Sequence, residues 1–118
     1  MSDTTLVRNR ADMPTGCIDR CHDGVGTITC ATVMGGAEGR HLNFMHDDIL
    51  PPGTSIGVHT HEADEEYYYI LTGTGVMTLD NARHDVGPGT ITAVYPGGNH
   101  GLENTGAEDM RIIVFSVS

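Results

Sequence analysis

Residues 53–73 read GTSIGVHTHEADEEYYYILTG, and the fold of the chain turns on this stretch. His59 and His61 are two apart in a β-type run, Ser55 to His61. On a strand, residues i and i+2 point to one face, so their rings can share one ion. Glu65 and Glu66 open a second β-type run, Tyr67 to Leu71. Folded back antiparallel, that run is expected to set one of the two carboxylates beside the imidazoles. His100, much further on, is the fourth candidate. Three imidazoles and one carboxylate suit one divalent transition metal: iron, manganese, nickel, zinc or copper.

Outward from this stretch the chain reads as short strands between turns. Thr27 to Met34 is rich in β-branched residues, and His41 to Ile49 carries Leu42, Phe44 and His46 on one face. His46 reads as a satisfied or exposed histidine, and Asp47 and Asp48 as solvated. Strands are expected over 54–61, 66–71, 76–79 and 90–95. Gly73 to Gly75 reads as a tight hairpin, Asp80 to Arg83 as a turn, and His84 as exposed beside it. Pro96 to His100 is a turn that delivers His100 onto the next strand. Met110 to Val117 is apolar on both faces and is expected to be covered on both. Cys17 to Gly26 reads as a polar surface loop rather than a soft metal site on Cys17, Cys21 and His22, with covering the pocket mouth as a lesser role. About nine short strands and no convincing helix describe an all-β barrel or two-sheet jelly roll.

Composition narrows the partners. The 118 residues bound one domain, and 16 Gly with 5 Pro match strand-and-turn architecture. A formal net charge of −10 argues against nucleic acid and against anionic membrane surfaces. Three cysteines form an odd set behind polar first residues, so a cytoplasmic protein with reduced thiols is expected.

Gly53, His59-Thr-His61, Glu66 and Gly73 resemble the first signature of the cupin superfamily. Counting back six from Gly73 selects Glu66 over Glu65. Pro96, Gly98, His100 and Asn104 resemble the second signature, with Gly98 nearer the histidine than family members usually place it. The wider pattern is similar to small single-domain cupins, including oxalate-decarboxylase-like ones. The resemblance covers residues 20 to 117, leaving 1–19 as an N-terminal arm or edge segment before a barrel over 20–118. It implies a cupin-type double-stranded β-helix with an internal metal, as a homodimer. It does not imply one reaction.

The expected ligands are His59, His61, Glu66 and His100. Alternation from Glu66 puts Tyr68 on the same face, which makes it the candidate catalytic hydrogen-bond donor. Tyr67 and Tyr69 are expected to face the other way. The expected function is a metal-dependent enzyme on a small, anionic, oxygenated organic acid or enediol, of dioxygenase, decarboxylase or lyase type. The alternatives are a redox-neutral isomerase, epimerase or cyclase, and a non-catalytic small-ligand binder.

Overall fold

The computed structural model describes residues 4–118. Its strands are β1 (Thr15–Asp19), β2 (Thr27–Met34), β3 (Leu42–Leu50), β4 (Ser55–Thr60), β5 (Glu65–Thr72), β6 (Gly75–Leu79), β7 (Ala82–Val86), β8 (Ile91–Val94), β9 (Asn99–Asn104) and β10 (Met110–Val117). One sheet runs β1-β2-β3-β10-β5-β8 and the other β4-β9-β6-β7, and every pairing is antiparallel. The helical content of the described residues is two 3-10 turns, at Arg10–Asp12 and Cys21–Asp23. None of their helices is long and apolar enough to cross a membrane. The all-β jelly-roll expectation holds.

Period-two burial makes the two sheets face each other. On β10, Met110, Ile112, Val114 and Ser116 point inward and are buried, while the residues between them are not. The register puts Ile112 opposite Asp48 and Ile70, Val114 opposite His46 and Tyr68, and Ser116 opposite Phe44 and Glu66. Ile56, Met77 and Leu102 close the core from the other sheet. Each such apolar side chain, fully buried, contributes about 1.5–3 kcal/mol.

Several local expectations are corrected. Gly73 to Gly75 is not a hairpin: β5 and β6 lie in different sheets, so this segment is a corner. Gly73 stands at φ +83°, and a Cβ there would meet the Asp109 carbonyl oxygen at 2.7 Å. The tight hairpin lies between β6 and β7, where Asp80 and Asn81 both take positive φ, as a two-residue loop of the mirror-image type requires. Strand β7 occupies a stretch read as a turn, and β1 falls where an N-terminal arm or edge segment over 1–19 meets the stretch read as a polar loop. Their side chains are exposed except Val86, so backbone pairing at a sheet edge forms them, not an apolar face. His84, on β7, is exposed as expected. The outer face of β10 is only half-buried, with Phe115 stacked on Tyr67 at 4.9 Å.

Asp47 and Asp48 are not solvated; each is 4% exposed. Asp47 faces outward beneath two arginines: Arg111 donates to it at 2.9 and 2.6 Å, and Arg10 at 3.0 Å. Asp48 faces inward.

Candidate metal centre

A β-bulge aims the first two ligand candidates. Strand β4 pairs with β9 as Ile56 to Leu102 and His59 to His100, so β4 carries one extra residue between the two pairs. Strict alternation from inward-facing Ile56 would turn Val58 inward and His59 outward. The bulge at Gly57–Val58 reverses that, leaving Val58 54% exposed and His59 inside. The ladder continues past the strand through His61 N–H to Gly98 O at 3.0 Å. Glu66 arrives from the opposite sheet, on β5, and not from a strand folded back against β4.

The four candidates converge. His100 Nε2 stands 3.1 Å from His59 Nε2, 3.1 Å from His61 Nε2 and 3.0 Å from Glu66 Oε1. Glu66 Oε1 is 3.5 Å from His61 Nε2 and 3.9 Å from His59 Nε2. Glu65 takes no part; it accepts a hydrogen bond from Tyr67 at 2.7 Å. Tyr69 is 40% exposed, so Tyr67 and Tyr69 do face away from Glu66.

Hydrogen bonds outside the cluster fix two of the tautomers. His59 Nδ1 lies 2.7 Å from the Gly57 carbonyl oxygen, which can only accept, so Nδ1 carries the proton. His61 Nδ1 donates likewise to Asp64 at 3.0 Å, and Asp64 accepts a second bond from the Ser116 hydroxyl at 2.5 Å. In the neutral rings both Nε2 lone pairs therefore point inward. Lone pairs so fixed, beside a carboxylate oxygen, demand positive charge between them. Ligand atoms about 2.0–2.1 Å from one ion stand about 2.9–3.3 Å apart for angles from square to tetrahedral. The spacings around His100 fit that ion, and so does the donor chemistry. Burial works to raise the Glu66 pKa, but the contact with His100 at 3.0 Å outweighs it and brings it to about 2. Burial lowers the His100 pKa, against the pull of Glu66, which keeps the imidazole available as a neutral ligand.

Two groups beside the cluster bear on chemistry. Tyr68 is 2% exposed, and its ring centroid lies 4.6 Å from that of His100. Burial, then the charge of Glu66, raises its pKa well above the usual phenol value, so the hydroxyl keeps its proton. His22 stacks on His59, with centroids 3.6 Å apart and planes 12° off parallel. His22 is exposed, as a surface loop implies, and the loop packs on β4. Arg20, His22 and Asp23 all take positive φ there, and Val25 and Ser55 exchange hydrogen bonds at 2.9 and 2.8 Å. Gly57 matters at this contact, because a Cβ on it would run into the His22 carbonyl oxygen. Cys17 is exposed on β1, whereas Cys21 is half-buried and packs on the core.

These features define a class: a two-sheet antiparallel barrel that gathers three imidazoles and one carboxylate at its inner wall. The cupin domain model matches residues 47–116, and the chain belongs to that family. An oxalate-binding protein of Thermotoga maritima is 39% identical over 64 residues, which cover 54% of this chain and 53% of that protein. The chain thus spans about half the length of curated relatives it matches, 53% and 54% in two cases. A crystal structure described as a predicted oxalate decarboxylase, also from T. maritima, superposes with a TM-score of 0.90 at 27% identity, covering 95% of this chain and 98% of that one. The polyketide cyclase RemF of Streptomyces resistomycificus shares the fold, with a TM-score of 0.78 at 22% identity over 96% of this chain and 79% of its own.

Proposed function

We propose that the chain is a metal-dependent enzyme acting on a small oxygenated organic acid, with His59, His61, Glu66 and His100 holding one divalent transition ion. The observation that carries this reading is the approach of three Nε2 atoms and one carboxylate oxygen, 3.0–3.9 Å apart around His100 and Glu66, with the His59 and His61 lone pairs locked inward. Bound there, the ion supplies Lewis-acid polarisation of a substrate oxygen pair.

The remaining work falls to the chain. Glu66 offsets one of the ion's two charges, which leaves net positive charge for an anionic substrate. Asp64 and the Gly57 carbonyl hold the imidazoles in register. Tyr68, protonated, donates a hydrogen bond to a substrate oxygen. Ile56, Ile70, Met77 and Leu102 exclude water. All six basic residues are arginines, and none is a buried side chain of the barrel. Arg8 pairs with Glu38, Arg10 and Arg111 with Asp47, and Arg83 with Glu103. With no interior arginine clamp, the substrate's anionic end is held at the ion. That favours a compact chelating acid over a polyanion with a second charged end. The T. maritima relative, named for binding oxalate, supports the same ligand chemistry.

The test is metal analysis of purified protein, followed by oxygen uptake and product formation on a panel of oxalate, 2-oxo acids and enediols. One ion per chain with turnover of a panel member is expected. A second reading, a binder without turnover, draws on that relative's name; calorimetric binding of oxalate recovered unchanged would select it. Protein that takes up no ion overturns both.

A further inference from the structure

A second group of donors lies on the same inner wall and belongs to none of the four ligands above. The register puts Cys30 opposite Asp48 across β2 and β3. His46 stands two residues from Asp48 on the same face of β3. One ligand atom from each of Cys30, His46 and Asp48 lies within 4.8 Å of the other two. Asp48 Oδ1 is fully buried and has no hydrogen-bond partner. A bare carboxylate oxygen inside an apolar barrel is costly unless a proton or a cation meets it. Among the described residues no arginine is a buried side chain beside it; the arginines are engaged in ion pairs or exposed.

We propose that Cys30, His46 and Asp48 form a second metal site, for a zinc-class divalent ion, on the barrel wall formed by β2 and β3. One thiolate, one imidazole and one carboxylate are the mixed donor set that suits zinc and leave a fourth position open, as in catalytic zinc sites. Without metal, burial and the charge of and hydrogen bond to Asp48 push the Cys30 thiol up to about 12, and burial pushes Asp48 up to about 6, against the Cys30 hydrogen bond. To ligate, the Cys30 thiol must give up its proton, so uptake releases a proton.

Sulfur separates the two sites, because the first contains none. Reduced full-length protein is saturated with zinc alone, desalted, and measured for stoichiometry and by zinc X-ray absorption. Two ions per chain are expected, with a sulfur neighbour at about 2.3 Å. In Cys30→Ser and Asp48→Asn variants the sulfur signal and one equivalent disappear, while the nitrogen and oxygen neighbours of the first site persist. In a His59→Ala/His61→Ala variant one equivalent is lost and the sulfur signal remains. One equivalent with only nitrogen and oxygen neighbours in the unaltered protein overturns the second site and leaves the first standing. A sulfur signal that survives Cys30→Ser also overturns it, since the sulfur then comes from elsewhere.

Discussion

His61 donates its Nδ1 proton to Asp64 across 3.0 Å, and through that bond its other nitrogen faces the cluster. Asp64 is itself held by the Ser116 hydroxyl at 2.5 Å, from the middle of the six-stranded sheet. The carboxylate thus ties a member of the histidine cluster on one sheet to the framework of the other. Partners of this kind set ring orientation and ligand basicity. Asp64→Ala is expected to lower metal affinity about 10–100-fold, read by competition with a chromophoric chelator. Unchanged affinity would mean that packing alone orients His61.

Glu66 tests the charge argument more directly. Its carboxyl, brought down to about 2, is ionised at any working pH. Glu66→Gln keeps the shape and removes the charge. A four-donor site that loses its only anion is expected to bind metal more weakly than the Asp64→Ala variant does, in the same titration. Equal affinity of Glu66→Gln and unaltered protein would remove Glu66 from the ligand set.

The convergence of His59, His61, Glu66 and His100 was legible because a strand's period is two and the signature spacing is tight. What aims them was not. Alternation from Ile56 alone would have sent His59 outward, and only the register with β9 exposes the bulge. Glu66 does reach the three histidines, but not by pairing of β4 with β5: the two strands lie in different sheets that face each other. Asp47 and Asp48 looked solvated because their partners lie far off in sequence. Arg10 and Arg111, which cover Asp47, are 37 and 64 residues away. The spacing of His46 and Asp48 was the same i, i+2 signal used for His59 and His61, and it went unused because both acids read as a strand end. Edge strands β1 and β7 carry no buried face for periodicity to detect.

Tyr68 is the sequence candidate whose role rests on chemistry rather than on ligation. Tyr68→Phe keeps the ring against His100 and deletes the donor. Turnover of the panel substrate is expected to fall about 10²-fold or more, with metal stoichiometry unchanged. A fall in stoichiometry alongside turnover would make Tyr68 part of the assembly of the site and not of the reaction.

The stack of His22 on His59 depends on the absence of a side chain at Gly57. Gly57→Ala places a methyl against the His22 backbone, which cannot swing aside as a side-chain tip would. The loop is expected to lift from β4, at a cost of about 1–3 kcal/mol, seen as a lower thermal midpoint. Losing its aromatic cover, the first metal site should also surrender its ion to a chelator faster. Unaltered stripping kinetics in a destabilised variant would show that His22 does not shield the site.

Asp47 provides a pH signature on the outer face of the barrel, away from the histidine cluster. The fork from Arg111 is the largest influence on its carboxyl, burial works the other way, and Arg10 adds to Arg111; the net pKa lies below the ordinary 3.8. A carboxyl depressed by folding stabilises the native state in full above its unfolded pKa. That contribution is lost as pH falls through the lower, folded value. Both arginines are partly exposed, with side chains 39% and 44% accessible, so solvent screens the pair. After that discount, Asp47→Asn is expected to cost about 1–2 kcal/mol at pH 7. The gap between variant and unaltered protein in urea unfolding should hold steady down to about pH 5 and close below about pH 4. Taking the difference cancels every other titrating group that the substitution leaves alone. A gap that widened in acid would mean that the carboxyl is raised by its burial and that the arginines do not govern it.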